Sequence, residues 1–398
     1  MRRDDLCHAV RQRLKRLPAP YAAHYGVVPL PPPEEAIAVG GAQQRHQAAS
    51  EALARVDTLA SELEDPYLIS RVLTRREAVS SSSIEGTNST LDELLIVEEM
   101  DNRDASEAAI QVRDYACALD DLLPRAKAQG HRLFDMELVR MLHRAVMRGD
   151  SSYQDVPGEF RRIVVWIGGR GDIAYSTYNP TPPDDISVCL AQTMTYMQSD
   201  GMHVMTQSLI TRMAVAHVHF EAVHPFRDGN GRVGRLLLPL MMAAEGHVPL
   251  YLSPYIEAHR QAYYDALKEA QQQLEWPSAI GFISDAITGT VRELLATRDA
   301  LRKLQEIWQT RRVFRARSAA ARSLALLPHY PVVTVKRLAA LLGITITAAT
   351  AGIEQLVGAR ILEERTGHRR NRIFAAPEAL SIINRPFGAE PNLPGFQA

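Results

Sequence analysis

One stretch of twelve residues constrains this chain more than any other, and it reads His-Pro-Phe-Arg-Asp-Gly-Asn-Gly-Arg-Val-Gly-Arg over residues 224–235. A run of helix-forming apolar residues follows it over residues 236–244. A glycine-rich turn that enters a helix directs several backbone N–H groups to one point, where the helix dipole adds positive potential. The stretch therefore predicts an anion-binding site at the start of a helix.

The charged side chains of this stretch extend the prediction. Arg232 and Arg235 lie three residues apart on the first turn of the helix, so both can point toward the anion. The carboxylate of Asp228 beside an anion site indicates that a cation such as Mg²⁺ joins a polyphosphate there. His224 can take a proton from an attacking hydroxyl at neutral pH. Together these residues predict nucleotide-dependent group transfer.

Other interpretations account for parts of this stretch. Residues 229–234 fit the G-x-G-x-x-G dinucleotide pattern, but that pattern follows a hydrophobic strand, whereas residues 208–219 predict a helix. A kinase-type glycine loop would lie in a strand pair and be followed by a lysine-bearing strand. A polar loop with a helix cap explains the Asp-Gly and Asn-Gly steps, but it requires neither the histidine nor the two arginines.

Residues 224–235 match, without a departure, the Fic family signature His-Pro-Phe-x-Asp-Gly-Asn-Gly-Arg-x-x-Arg. Most members of that family transfer AMP from ATP to a hydroxyl side chain of a protein. The resemblance implies a mainly α fold, in which a helical core carries a small β-hairpin flap over the active site. Doc-type relatives, which phosphorylate instead, replace the Gly-Asn-Gly segment, so its presence here favours AMP transfer to a Ser, Thr or Tyr of a target protein or of the chain itself.

The resemblance also implies roles for the residues of the signature. His224 would be the general base, and Asp228 would hold Mg²⁺. Arg235 would bind the γ-phosphate of ATP, while the glycine-rich turn would hold the α- and β-phosphates with Arg232 beside them. The implied nucleotide contacts of the signature are Asp228, Gly229, Asn230, Gly231, Arg232, Val233, Gly234 and Arg235.

A second motif, Ser81-x-x-x-Glu85-Gly86, lies at the end of a helix predicted from about Tyr67 toward Ile84. On the residues alone it can be a frayed helix end with Gly86 at the C′ position. A carboxylate at a helix C-terminus is electrostatically unfavourable, however, which indicates a cationic partner for Glu85. The motif resembles the inhibitory motif [Ser/Thr]-x-x-x-Glu-[Gly/Asn] of one Fic class. By that resemblance the partner is Arg235, and the pair would exclude a productive γ-phosphate.

Residues 158–169 predict a β-segment, 169–172 a turn and 173–175 a returning strand. This hairpin is either a structural ribbon packed on the core or, by resemblance, the flap that pairs with the target segment as an added strand. The resemblance places four flap residues near the nucleotide: Val165, Trp166, Ile167 and Gly168. It also places Tyr263 against the adenine and Gln271 at a polar adenine contact, although a tyrosine on such a helix is more often a core residue.

The region after the catalytic core predicts a separate small unit. Helices over 335–342 and 346–357 and two strands around the basic turn 366–371 resemble a winged helix-turn-helix. The second helix begins with Ile-Thr-Ala-Ala-Thr, which offers few side chains for reading bases. We therefore expect this unit to contact protein or to form a homodimer rather than to bind nucleic acid.

These patterns divide the chain into five regions. An N-terminal region (1–120) would contain a proline-rich extended arm within its first 40 residues and the inhibitory helix at about 67–86. The catalytic core (121–290) would be followed by a helical linker (291–327), the winged-helix-like unit (328–380) and a tail (381–398). The resemblance implies ATP as the substrate and Mg²⁺ as the cofactor.

The composition limits which partners and which cell compartment the protein can be expected to have. The 398 residues are 46% hydrophobic and 23% charged with a net charge of −1, so no overall attraction to nucleic acid or membranes is implied. The three cysteines are scattered and favour reduced thiols. No stretch approaches the about 18 apolar residues of a membrane span, and the first residues do not form a signal peptide. We expect a cytoplasmic protein without membrane contacts.

Three alternatives to AMP transfer remain on the sequence alone. The same site can remove AMP, with Glu85 orienting a water, or it can transfer another phosphate-containing group. A different class of protein, a winged-helix transcriptional regulator whose core only senses nucleotide, would not need the base that His224 supplies.

Overall fold

The computed structural model describes residues 1–63, 71–100, 105–366 and 372–394. The fold is mainly α, as the sequence predicts, and the strands of the described residues form three small antiparallel sheets. The helices are α1 (His8–Gln12), α2 (Gln43–Leu63), α3 (Arg71–Ile84), α4 (Leu91–Glu99), α5 (Glu107–Gln129), α6 (Met136–Met147), α7 (Ile186–Met197), α8 (His203–Thr206), α9 (Leu209–Val223), α10 (Asn230–Ala244), α11 (Ser253–Ala258), α12 (Arg260–Gln273), α13 (Trp276–Arg311), α14 (Ala319–Leu326), α15 (Val335–Leu342), α16 (Ile346–Gly358) and α17 (Pro377–Ile383). The strands are β1 (Leu14–Arg16), β2 (Tyr25–Val27), β3 (Ile167–Gly168), β4 (Ser176–Tyr178), β5 (Val332–Thr334), β6 (Glu363–Glu364) and β7 (Ile373–Ala375).

Two consecutive helices, α9 and α10, form the centre of the fold and carry the 224–235 stretch between them. All fifteen residues of α9 are buried, and so are most residues of α10. α9 packs against α7 and α13, while α10 packs against α5 and α6 as well as α9, so neither helix needs a polar face. The loop that joins them is therefore held by buried helices on both of its ends.

The helix that carries the Ser81–Glu85 motif lies against the same core. α3 packs against α5, α10 and α11, and it ends at Ile84. On its buried side, Glu77 accepts hydrogen bonds from the backbone N–H and the hydroxyl of Ser253 at 2.9 and 2.5 Å. The start predicted near Tyr67 lies outside the described residues.

Ion pairs attach α3 to its neighbours. Glu98 of α4 accepts hydrogen bonds from Arg71 at 2.5 Å and from Arg75 at 2.7 Å. The same Arg75 also pairs with Asp120 of α5. Because Arg75 is buried, these carboxylates offset the cost of removing its charge from water, and α3 is fixed where its last turn reaches α10.

The N-terminal residues differ from the unpacked arm that the sequence predicted. α1 and the β1–β2 ribbon pack through Leu6, Val10 and Val27 against Tyr178 and Ala222 of the core. That prediction was wrong for the first 30 residues. The elements there are three to five residues long, which is too short for a hydrophobic period to be recognised.

The predicted hairpin is present, but with different bounds. β3 is limited to Ile167–Gly168, and the returning strand is β4 at 176–178 rather than 173–175. Residues 173–175 form a 3₁₀ turn instead, because the Asp172 carboxylate accepts a hydrogen bond from the Ala174 N–H at 2.9 Å. Gly168 and Gly169 both adopt positive φ angles, so the chain leaves the strand immediately.

A single helix of 36 residues, α13, runs from the core to the C-terminal unit. The domain boundary expected at residue 290 falls inside it. Near its end Trp308 is fully buried and donates from Nε1 to the Glu378 carboxylate at 2.7 Å. Among the described residues no single helix has the length and hydropathy of a membrane span, and only α15 and α16 together, bent by 110°, meet that criterion by length and composition.

The C-terminal unit contains the two adjacent helices that the sequence predicted. α15 and α16 flank Gly343, which adopts the left-handed conformation with a φ of 63°. β5, which the sequence did not predict, pairs with β7, and β7 pairs with β6. Most of the predicted basic turn, residues 367–371, lies outside the described residues, so the winged-helix interpretation stays a prediction.

Candidate active site

The loop between α9 and α10 is closed by its own residues. His224 ends α9 in the left-handed conformation with a φ of 50°, and Gly229 adopts a φ of 79° immediately before α10. The Asn230 side chain accepts from the Phe226 N–H and donates to the Phe226 carbonyl, both at 2.8 Å. Asn230 is thus committed to the loop, and the backbone N–H groups of the first turn of α10 supply the anion site.

A buried histidine that the sequence analysis did not single out holds this loop from α6. His143 stacks on the Phe226 ring with 3.7 Å between the ring centroids. Its Nδ1 accepts from the Gly158 N–H at 2.8 Å, so the proton is on Nε2, which donates to the Asp228 carbonyl at 3.0 Å. Burial lowers the pKa of His143 to about 4, which keeps this pattern intact at neutral pH.

Arg161 is a second residue that the sequence analysis missed. Its guanidinium donates to the carbonyls of His224 at 2.8 Å, Thr181 at 2.6 Å and Ile163 at 2.9 Å. No ion pair joins it to a carboxylate among the described residues, and burial lowers its pKa to about 9. A left-handed conformation costs a non-glycine residue about 1 kcal/mol, and Arg161 fixes His224 in it.

His224 is a neutral base at the edge of this site. Its side chain is 20% exposed, and its Nδ1 is buried without a hydrogen-bond partner among the described residues. Burial, followed by the charge of Arg161, lowers the pKa of His224 to about 4, although Glu85 acts in the opposite direction. At neutral pH the ring is therefore uncharged and able to accept a proton.

The structure brings Arg235 and the Ser81–Glu85 motif together. Arg235 Nη2 donates to Glu85 Oε1 at 2.7 Å and to the Ser81 carbonyl at 2.9 Å, while its Nε donates to the Ser81 hydroxyl at 2.9 Å. Burial raises the pKa of Glu85, but the charge and the hydrogen bond of Arg235, together with the charge of Arg232, hold this pKa below its ordinary value. Glu85 is therefore ionised at neutral pH.

The Glu85 carboxylate lies directly over the start of α10. A Cβ at Gly231 would collide with Glu85 Oε1 and would lie 2.8 Å from Arg235 Nη1. Only glycine at this position allows the carboxylate to approach so closely. Gly86 then adopts a φ of 88°, which turns the chain away from α3. The carboxylate therefore lies beside the N-terminus of α10, where a helix favours negative charge.

Asp228 and Arg232 supply the remaining charges. The Asp228 side chain is 61% exposed, its Oδ1 accepts from the Gly229 N–H at 2.6 Å, and its Oδ2 lies 3.9 Å from Arg232 Nη2. The described residues contain no cluster of three or more His, Cys, Asp or Glu side chains that could hold a metal ion. Mg²⁺ is commonly held by one or two carboxylates together with substrate phosphates, so an exposed Asp228 fits that ion once a nucleotide is present.

Two residues of the signature face the interior rather than the anion site. Val233 is fully buried, and its N–H donates to the Gly229 carbonyl at 3.0 Å. A Cβ at Gly234 would lie 2.6 Å from Glu221 Oε1 and 3.1 Å from the Phe220 ring, so this glycine permits close packing of α10 on α9. Both residues thus contribute to helix packing, and contact of Val233 and Gly234 with a nucleotide stays a prediction.

Two family profiles match the chain, "Fic/DOC family N-terminal" over residues 43–121 and "Fic/DOC family" over residues 133–242. The chain is a member of the Fic/DOC family. It is 31% identical to "Protein adenylyltransferase Fic" of Culex quinquefasciatus over 134 residues, which are 34% of this chain and 24% of that relative. The protein of the same name from Drosophila erecta is 31% identical over 170 residues, 42% of this chain and 31% of the relative.

The chain thus spans a quarter to a third of the length of these curated relatives. Among solved structures, a Fic family protein from Desulfovibrio desulfuricans G20 superimposes with a TM-score of 0.52 and 19% identity. The match covers 87% of this chain and 98% of the other. At this identity the likeness establishes a shared Fic fold.

Two of the four flap residues that are expected to contact a nucleotide lie in the short strand β3. Ile167 and Gly168 form β3, and the Ile167 carbonyl accepts a hydrogen bond from the Thr177 hydroxyl at 2.9 Å. The half-buried Val165 precedes the strand, and the Trp166 ring packs edge-on against Tyr21 with 5.4 Å between centroids. Contact of these flap residues with a nucleotide stays a prediction.

The tyrosine pair of the Fic chain is divided between the interior and the surface. Tyr263 is buried, and its hydroxyl forms a 2.8 Å hydrogen bond with Nε2 of His217. Tyr264 is 47% exposed, so an adenine that reaches α12 would meet this ring first. Gln271 donates its amide to the Val218 carbonyl at 3.4 Å. Adenine contacts by Tyr263 and Gln271 stay predictions.

Proposed function

We propose that this protein is a protein adenylyltransferase that transfers AMP from ATP to a Ser, Thr or Tyr hydroxyl of a target protein or of itself. A neutral His224 beside the N-terminal N–H groups of α10 carries the proposal, because it combines a base with an anion site. The curated relatives named protein adenylyltransferases support the same reaction.

In this reaction the target hydroxyl gives its proton to His224 while its oxygen attacks the α-phosphorus of ATP, and pyrophosphate leaves. The N–H groups at the start of α10, with Arg232, bind the phosphates and lower the energy of the transition state. Two donors of the buried Arg232, Nε and Nη1, have no hydrogen-bond partner among the described residues, which supports this role. Mg²⁺ on Asp228 would neutralise the charge of the phosphates.

We further propose that Glu85 inhibits the reaction. Its carboxylate and a γ-phosphate are both anions that require Arg235, and the buried guanidinium can pair with only one of them in that position. The contact between Glu85 and Arg235 is 2.7 Å long, and further hydrogen bonds from Arg235 to Ser81 support it. Activation then requires that Glu85 leave Arg235.

Mass spectrometry of the protein and of a cell lysate after incubation with ATP and Mg²⁺ tests this proposal. An adduct of adenosine monophosphate that is larger in amount with Glu85→Gly than with the wild type supports it. An adduct of phosphate alone would show a kinase and contradict it. Loss of AMP from an AMP-modified protein, without any transfer, would favour AMP removal instead.

A further inference from the structure

The buried carboxylate of Glu221, beside the proposed base His224, has no role in the reaction proposed above. Glu221, one turn before His224 on α9, is buried, and its Oε1 has no hydrogen-bond partner among the described residues. Its Oε2 lies 3.7 Å from His224 Nδ1, and the main-chain carbonyl of Glu221 also lies close to this ring. The unpartnered oxygen, Oε1, lies against Gly234, while Oε2 is the oxygen that faces the ring, just beyond hydrogen-bond distance.

The space around Glu221 is shaped to admit a carboxylate. A Cβ at Gly234 would lie 2.6 Å from Glu221 Oε1, so any larger residue at position 234 would displace the carboxylate. Burying an acidic group without a partner is unfavourable, and a buried polar atom of this kind calls for an explanation. A hydrogen bond from His224 Nδ1 gives this buried carboxylate a partner.

We propose that Glu221 is a positioning residue for His224: its carboxylate accepts the Nδ1–H proton and thereby leaves the lone pair on Nε2, the ring nitrogen that is not buried. This inference rests on the proposed function of His224 as base. During transfer the proton of the target hydroxyl moves to Nε2, the hydroxyl oxygen bonds to the α-phosphorus, and pyrophosphate leaves. Nδ1–H stays on the ring, and the ionised Glu221 stabilises the imidazolium that forms.

Several charged or titratable groups surround Glu221 on the packed elements. They are His217 and His224 on its own helix and its end, Arg235 on α10, Glu85 after α3, and Tyr263 and Tyr264 on α12. Burial raises the pKa of Glu221 to about 7; Arg235 lowers it and Glu85 raises it. His217 is neutral because burial and Arg235 lower its pKa to about 3.

This environment couples the regulatory carboxylate to the base. When Glu221 is protonated it donates to Nδ1 instead of accepting from it, and the ring proton then moves to Nε2, where it blocks base catalysis. Because the negative charge of Glu85 raises the pKa of Glu221, removal of Glu85 extends the ionised form of Glu221 to lower pH. Transfer should therefore rise with pH through the ionisation of Glu221.

The tautomer of His224 can be measured without any activity. Nuclear magnetic resonance of [¹⁵N]histidine-labelled Glu85→Gly protein at pH 8 distinguishes Nδ1–H from Nε2–H, and the spectrum of the protein with His224→Ala identifies the signals of this ring. We expect the Nδ1–H form in the Glu85→Gly protein and in Glu85→Gly/Glu221→Gln, because the amide oxygen still accepts. We expect a shift to the Nε2–H form in Glu85→Gly/Glu221→Met.

Transfer rates supply the second readout. In the Glu85→Gly background, Glu221→Met should lower the rate of transfer by about 100-fold, the scale of a general base that is lost. Glu221→Gln should transfer faster than Glu221→Met and should lose the rise with pH near neutrality, since it cannot ionise. Glu269→Gln, at an exposed position on α12, is the charge-matched control and should change neither readout.

The main-chain carbonyl of Glu221 also lies near His224 and acts to raise its pKa. If Glu221→Met keeps the Nδ1–H form, that carbonyl alone sets the tautomer and the proposal is overturned. A pH profile of transfer that is unchanged in Glu221→Gln overturns it as well. If the Glu85→Gly protein transfers no AMP at all, the adenylyltransferase proposal fails, whereas the tautomer measurement still decides the role of Glu221.

Discussion

Arg235 and Glu85 form an ion pair across the N-terminus of α10, with 2.7 Å between Nη2 and Oε1. The guanidinium is almost fully buried, while the side chain of Glu85 keeps 30% of its exposure. Burial lowers the pKa of Arg235, but the charge of Glu85 raises it, and the net effect is a rise. Arg235 is therefore always charged, and a buried charge needs an anion beside it. In the proposed mechanism, the identity of that anion, carboxylate or phosphate, separates the inhibited site from the active one.

Replacing Glu85 by Gln should raise AMP transfer by about tenfold to a hundredfold. A hydrogen bond to a charged group contributes about 1.5–3 kcal/mol, and about 1.4 kcal/mol corresponds to a factor of ten. Ser81→Ala should give a smaller rise, because Arg235 keeps its contact with Glu85 and loses only the hydroxyl. Initial rates of AMP transfer at one fixed ATP concentration measure the effect of both substitutions. Equal or lower transfer by Glu85→Gln would refute the inhibitory role.

His224→Ala in the Glu85→Gly background should abolish transfer and leave ATP binding intact. The ring supplies a proton acceptor but is not one of the groups proposed to bind phosphate, so only the chemical step is lost. Calorimetric titration with ATP and Mg²⁺ measures binding, and label incorporation measures transfer. Arg235→Ala is the opposite case, since it should weaken ATP binding. Transfer that persists without the imidazole would rule out His224 as the base.

The attachment of α3 should depend on Glu98. Glu98→Gln removes the charge that pairs with Arg71 and Arg75, and breaking a buried ion pair costs about 3 kcal/mol. We expect a lower melting temperature, faster amide hydrogen exchange in residues 71–84, and more transfer because Glu85 is held less firmly.

The matched control for Glu98→Gln is Glu137→Gln. Glu137 pairs with Arg144 at the surface, where ion pairs contribute at most about 1 kcal/mol, so its loss should change neither melting nor transfer. If Glu98→Gln melts like the control and exchanges no faster over residues 71–84, these ion pairs do not attach α3.

The protein should lose stability as the pH falls from 7 to 5. Burial lowers the pKa of His143 and His219 to about 4, whereas an unfolded histidine binds a proton near pH 6.5. The unfolded chain thus binds more protons below pH 6.5, and each buried histidine costs about 2 kcal/mol of stability at pH 5. Glu221, with its raised pKa, acts in the opposite direction.

Urea unfolding at several pH values checks this expectation. His219→Gln removes one of the buried histidines, so its stability should depend less steeply on pH between 6.5 and 5 than that of the wild type. An equal pH dependence in the two proteins would show that His219 does not bind a proton on unfolding in this range.

The sequence predicted the centre of this site because its signals are local. The Gly-Asn-Gly turn and the apolar run after it indicated a helix whose first turn carries Arg232 and Arg235, and α10 begins at Asn230. The unfavourable position of Glu85 at a helix end indicated a distant cation, and the structure supplies Arg235, which lies 150 residues further along the chain.

The residues that the sequence did not reveal act through main-chain atoms or buried neighbours far along the chain. Arg161 binds carbonyls 20 and 63 residues away, and His143 binds a carbonyl 85 residues away. Carbonyl acceptors leave no trace in a side-chain pattern. In retrospect, an arginine inside the apolar run at 160–167 was the available signal. The short strands of the N-terminal region were missed and those of the flap were misplaced, because two or three residues cannot establish an alternation.

The most direct test of the account compares ATP labelled on the α-phosphate with ATP labelled on the γ-phosphate, in the wild type and in Glu85→Gly, with Mg²⁺ and a cell lysate. The account predicts that protein retains label only from α-labelled ATP, and that Glu85→Gly retains more than the wild type. Label from the γ position alone, or no label from either in Glu85→Gly, would contradict an inhibited adenylyltransferase.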